Sequence, residues 1–162
     1  MRDKLNRVTT NYYYLAGPPG SSKLIVSKVL FIYALCLGLN IIVTSIPSDQ
    51  SSILEGTHLH LLFKLAIHTK SIYHPLQEAN LCIHKLTRNN AALAYLHSID
   101  VLMIEEIGLL NSELYSTIEI VLQHIIKNDL KAGGMLIISN GNLFQLMNIT
   151  SLSFWLSNHF IF

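Results

Sequence analysis

Charge is scarce in this chain. Asp, Glu, Lys and Arg make up 13% of its 162 residues, where soluble domains usually carry about 25%. The formal net charge is +1, so no general field draws in nucleic acid or an anionic membrane, and a DNA contact would need a local groove. Cysteine is limited to Cys36 and Cys82, both in apolar, helix-like contexts without CxxC spacing. That argues against a zinc site or a disulfide, and for buried reduced thiols and an intracellular address. Met1 to Thr10 carries Arg2, Lys4 and Arg7 but no apolar run before a small-residue cleavage site, so it does not read as a secretory signal. Internal repeats and low-complexity linkers are missing too, and the length suits one domain with a sizeable core.

Apolar residues, by contrast, are plentiful at 51%. Val29 to Ile46 is nearly continuous and approaches bilayer length. Gly38-Leu39-Asn40 nevertheless reads as a helix stop, with Ile41-Ile42-Val43 as a β-branched strand beyond it, and neither piece could cross a bilayer alone. No membrane partner is expected, and a membrane-associated protein anchored through 29–46 is the rival reading.

Tyr12 to Ala16 has the composition of a buried strand. Lys23 to Leu37 reads as a helix, hydrophobic nearly all round and therefore expected to be well buried. Ile41 to Thr44 is the next strand, Pro47 to Gly56 a polar loop, and Leu59 to Ile67 a short helix or an irregular segment. His68 to Pro75 reads as loop. Helices follow at Glu78–Leu86 and at Asn90–His97, the second with Asn90 as its expected cap. Val101 to Ile104 is a fully apolar strand ending at Glu105-Glu106. Ser112 to Lys127 is the clearest helix: Leu114, Ile118, Val121, Leu122 and Ile125 share one face, with Asn111 or Ser112 as cap. Gly133-Gly134 precedes a last apolar strand, Met135 to Ile138. Buried strands alternating with helices predict an α/β fold with a mainly parallel sheet covered on both faces.

Gly17-Pro18-Pro19-Gly20-Ser21-Ser22-Lys23 lies between a predicted strand and a predicted helix. A phosphate cradle needs that arrangement: backbone N–H groups turned inward by a glycine-rich turn, a lysine for the terminal phosphates, and a helix N-terminus adding positive potential. The full pattern also asks for Gly before the lysine and Ser or Thr after it as a magnesium ligand, and here those positions hold Ser22 and Leu24. Alone, the motif is as well explained by a Gly-Pro turn before a helix with a solvated lysine. The second element of phosphoryl chemistry is a strand ending in carboxylates, one for the metal and one for the attacking water. Glu105 and Glu106 have that placement, with Glu105 where Asp is usual.

In the order of these motifs the chain resembles the first RecA-like domain of the petite-integration-frequency (PIF)-type DNA helicases, a superfamily-one family related to RecD. The resemblance runs from about Tyr12 to the end. Thr44-Ser45 and Gly56-Thr57-His58-Leu59-His60-Leu61-Leu62-Phe63 resemble the family's segment that contacts single-stranded DNA. Ile104-Glu105-Glu106-Ile107-Gly108 resembles its Asp-Glu motif, and Gly133 to Ile138 followed by Gln145-Leu146 resembles its Gly-Asp-x-x-Gln segment. The resemblance implies a three-layer P-loop NTPase fold over 12–162 after an N-terminal tail of 1–11, without the second helicase domain. It also implies ATP and Mg2+ as cofactors, both weak or lost, and single-stranded DNA as partner, in the nucleus or another DNA-containing compartment. Lys23 would reach the β- and γ-phosphates, Glu105 would hold magnesium, Glu106 would orient the attacking water and Gln145 would sense the γ-phosphate. Thr57, His60 and Phe63 would lie toward the DNA groove, although a phenylalanine in this position is more often core.

Departures from the family pattern fall on the chemistry. Leu24 removes a metal oxygen, Asn142 replaces an acid near the γ-phosphate, and the second RecA-like domain that closes the nucleotide cleft is expected to be a missing domain or a partner chain. The expected function is therefore a degenerate ATP-binding domain of an ATP-dependent DNA helicase, with weak nucleotide binding and little or no autonomous ATPase or unwinding. The alternative is a non-catalytic interaction module or a non-functional helicase fragment, whose oily surface faces a partner or self-associates.

Overall fold

The computed structural model describes residues 12–45, 56–66 and 74–142. In chain order the elements are β1 (Tyr12–Ala16), α1 (Lys23–Cys36), β2 (Ile41–Ser45), β3 (Thr57–His58), α2 (Leu59–Phe63), α3 (Pro75–Thr87), α4 (Asn90–Ser98), β4 (Val101–Glu105), α5 (Ser112–Ile126) and β5 (Leu136–Gly141). Short 3-10 turns occupy Ile107–Leu109 and Lys131–Gly134. The five strands form one sheet in the order β1-β5-β4-β2-β3, and every pairing is parallel. The fold is the three-layer α/β architecture that the alternation of strands and helices predicts.

Side chains alternate across a strand, so each strand feeds two faces. Ile42, Leu102, Ile104 and Ile137 join Cys82 and Leu86 of α3 and Ile118, Val121, Leu122 and Ile125 of α5 in the main core. Val43, Val101 and Met103, buried as well, point to the opposite face, where α1 packs against β2 and β5. The connection from α5 to β5 is tight. Gly133 has φ +63°, and a Cβ there would stand 2.7 Å from the Leu122 carbonyl oxygen, so glycine is required for the chain to pass under α5.

The helix ends follow local chemistry. The Asn111 side chain accepts from the Leu114 amide at 2.7 Å and caps α5. The cap of α4 is Asn89, whose side chain accepts from Ala92 N at 3.0 Å, one residue before the expected Asn90. Pro75 starts α3 three residues ahead of the predicted Glu78 and takes a first-turn position where its missing N–H costs nothing.

Two expectations are corrected. Only Ser27 and Ala34 of α1 are buried, while Ile25, Val26, Val29, Ile32, Tyr33 and Leu35 are exposed. The side toward the sheet carries Ser27 and Ala34 with Leu24, Leu30 and Phe31 half-buried beside them, while a second apolar side faces outward, a choice that periodicity cannot read from a helix apolar on every side. Cys36, at the end of this helix, is likewise an exposed free thiol, whereas Cys82 is buried and its pKa is pushed up to about 11, mainly by burial. The 29–46 stretch is divided between α1 and β2 with Gly38 at φ +70° between them. No helix among the described residues is long and apolar enough to cross a membrane.

Candidate functional site

The loop 17–22 leaves the carboxyl end of β1 and delivers the chain into α1. Gly20 and Ser22 both adopt left-handed backbone, with φ +77° and +58°. Such turns bring successive amides to one side as an anion-binding concavity. A Cβ on Gly17 would meet the Ser21 hydroxyl, which would have to rotate away. The loop is pinned by Ser21 N donating to the Pro18 carbonyl at 3.2 Å, and α1 begins with Ile25 N on the Ser22 carbonyl at 2.9 Å. With no acidic residue in its first turn and no side-chain cap, α1 keeps its N-terminal positive potential free for an anion.

Lys23 folds back over this loop. Its ammonium donates to the carbonyls of Gly17 and Pro18, both at 2.8 Å, and to Ser21 Oγ at 3.4 Å. These are replaceable contacts on a half-buried, solvent-facing lysine, and they hold the cation over the concavity.

The acid pair reaches the same end of the sheet. Glu105 closes β4, in register with Ser45 of β2, and its side chain is 3% exposed. Burial pushes its carboxyl above the ordinary carboxylate value, the Asn140 amide draws it down, Glu106 raises it and Lys28 of α1 lowers it. Glu106 turns the chain at φ +53°. The strand that leads into the Lys23 loop and the strand that ends in Glu105 are not adjacent, because β5 runs between β1 and β4.

The residue that joins the two halves is Asn140 of β5. Its Oδ1 accepts from the Glu106 amide at 3.2 Å, while Nδ2 donates to Ser27 Oγ at 2.7 Å and makes a longer 3.5 Å contact with Glu105 Oε1. The amide orientation follows from chemistry: the Glu106 N–H can only donate, so the oxygen must face it and the nitrogen must face the other two. Sequence reasoning missed both Ser27 and Asn140. The available signals were a hydroxyl four residues after Lys23, hence on the same helical face, and a polar side chain on the strand that ends an apolar run.

The donor chemistry fits an anionic phosphate. It does not fit magnesium in the expected way. A hard cation of this kind is held at phosphate sites by one or two protein oxygens together with waters and the phosphates themselves. Leu24 supplies none, and Glu105 Oε1, the acid oxygen expected to hold it, faces the Asn140 amide nitrogen.

Thr57, His58 and His60 lie at the sheet edge, where Thr57 of β3 pairs with Thr44. His58 Nδ1 accepts from the His60 amide at 3.3 Å, and the two rings meet edge to face with centroids 5.3 Å apart. Burial and the neighbouring His58 lower the His60 pKa from its usual 6.5, and its buried Nδ1 has no hydrogen-bond partner among the described residues. Phe63 departs from expectation. It is 0% exposed and belongs to the core with Leu59 and Leu62, because the short α2 turns it inward, so its ring offers no stacking surface to a base. Gln145 lies outside the described residues.

The family model for PIF1-like helicases matches residues 3–153. Among solved structures, the Pif1 helicase of Candida albicans superposes with a TM-score of 0.70 at 17% identity, covering 91% of this chain and 32% of that one. Bacteroides Pif1 bound to single-stranded DNA gives 0.67 at 22% identity, covering 96% and 35%. Bacteroides sp. Pif1 in complex with ADP-AlF4 gives 0.68 at 21%, covering 97% and 34%. The chain thus spans about a third of the length of these helicases, and no curated protein matches it. With the glycine-rich loop at one strand end, the acid pair two strands away and a family match over nearly the whole sequence, the chain belongs to the PIF1-like helicase family.

Proposed function

We propose that this chain is a degenerate nucleotide-binding unit of an ATP-dependent DNA helicase, one that takes up ATP weakly through loop 17–23 and has little or no ATPase or unwinding activity of its own. The observation that carries the reading is the concavity of Gly20 and Ser22 at the mouth of α1 with the Lys23 ammonium folded across it. An incoming phosphate would exchange the two carbonyl contacts of Lys23 for a bond in which both donor and acceptor are charged.

In this proposal Gly17 to Ser22 present amides to the phosphates and Lys23 meets the terminal ones. Glu106, placed on the bend after β4, is the acid assigned to the water, with Gln145 as γ-phosphate sensor. The magnesium role assigned to Glu105 lacks the oxygen partner that position 24 would supply, which is the physical ground for weak catalysis. Thr57 and His60 at the β3 edge are assigned to a single-stranded DNA contact, a reading supported by the Bacteroides relative bound to single-stranded DNA. A second RecA-like domain, in this or another chain, would be required to close the cleft.

The test is titration of a fluorescent ATP analogue into the native chain and into Lys23→Ala. Weaker binding by Lys23→Ala, by at least about tenfold or 1.4 kcal/mol, is the expected result, and superimposable curves would remove the nucleotide site. The exposed apolar face of α1 favours a second reading, a non-catalytic interaction module; concentration-dependent self-association with no response to nucleotide would select it.

A further inference from the structure

The metal hydroxyl expected directly after Lys23 is missing at Leu24, yet the acid that ends β4 is still tied to α1. Ser27 Oγ on the helix and Glu105 Oε1 on the strand face the same atom, Asn140 Nδ2, at 2.7 and 3.5 Å. Ser27, Glu105 and Asn140 are 2%, 3% and 6% exposed, so the three form a buried polar bridge between α1 and β4. A primary amide has two N–H bonds diverging from one nitrogen, and one nitrogen can therefore serve two oxygens. The bridge gives the buried Glu105 carboxylate an N–H donor where a metal-binding acid would stay open to a cation.

We infer that the Asn140 amide stands where a cation would otherwise be needed to satisfy Glu105, locking α1 to β4, so that the phosphate loop is held in shape and binds nucleotide without magnesium. The inference rests on the nucleotide-binding reading for its second half only. The asparagine oxygen adds a third tie, to the Glu106 amide, which fixes the bend that carries the second acid. Asn140 is thus a positioning residue: it acts through Ser27, Glu105 and Glu106.

The experiment compares the full chain with Asn140→Asp, melted and titrated with the ATP analogue in excess magnesium and in EDTA. For the native chain, melting temperature and nucleotide affinity should be the same in both conditions, within about twofold in Kd. Asn140→Asp replaces the amide nitrogen by oxygen and sets a second carboxylate beside Glu105. It should melt lower in EDTA and recover at least about 3 °C with magnesium, with nucleotide binding that becomes magnesium-dependent. If Asn140→Asp does not fold, Asn140→Ser, which leaves oxygens and a gap, serves for the same comparison. A native chain that gains stability or more than about tenfold affinity from magnesium overturns the inference, as does a variant with no greater magnesium response than the native chain. Failure of the native chain to bind nucleotide in either condition refutes the nucleotide reading and with it the binding half of the inference. The melting comparison still decides the bridge.

Discussion

Ser22 holds φ +58° and ψ 20° at the mouth of α1, a left-handed conformation with a side chain that makes no cap bond. The sequence placed a non-glycine residue at a position the phosphate loop wants left-handed, and the backbone accepted the strain. Such a residue costs roughly 1–2 kcal/mol relative to glycine. Ser22→Gly is therefore expected to raise stability by about 0.5–1 kcal/mol in urea melts, part of the gain being lost to the freer unfolded chain, and to tighten the ATP analogue by up to about tenfold. No change in either measurement would mean that the loop relaxes when free. His60 gives a pH test. Its folded value is lowered from 6.5, so the unfolded chain takes up a proton first as pH falls. Stability present above 6.5 is then lost as pH falls through the folded value. His60→Gln should flatten the acid side of a plot of melting temperature against pH; an unchanged slope would place the effect on another group.

At the scale of elements, caps and faces answer to different causes. The cap of α5 is local, and Asn111→Ala should cost about 1 kcal/mol in chemical denaturation because the Leu114 amide loses its acceptor. A loss under a few tenths would show that water replaces it. The amphipathic stripe of α5 was legible from spacing, and Ile118, Val121, Leu122 and Ile125 are all buried. In α1 the same reasoning failed, since apolar residues on every side leave no stripe to choose. The side turned to the sheet is that of Ser27 and Ala34, with Leu24, Leu30 and Phe31 half-buried beside them. Val29, 60% exposed, is correspondingly open to change: Val29→Lys should alter stability by no more than about 0.5 kcal/mol while reducing self-association in sedimentation velocity. A large loss of stability would mean that this face is packed in solution.

At the scale of the whole molecule, the strand order β1-β5-β4-β2-β3 brings loop 17–23 and the acid pair to one end of the sheet with β5 between them. Leu102, 0% exposed at the middle of the core face of β4, reports on that arrangement. Leu102→Ala should destabilise by about 2–5 kcal/mol and weaken nucleotide binding only through the unfolded fraction; a binding loss beyond that fraction would tie the core directly to the loop. The sequence by itself determined the alternation of strands and helices, the parallel sheet, the phosphate loop and its two departures, because these depend on neighbours within a few residues. Only the tertiary structure decided which side of α1 is buried, that Phe63 turns into the core, and that Asn140 joins Ser27 to Glu105. Those outcomes depend on which strands lie side by side, and the bridge joins residues separated by 113 and 35 positions along the chain, a distance at which local periodicity carries no information.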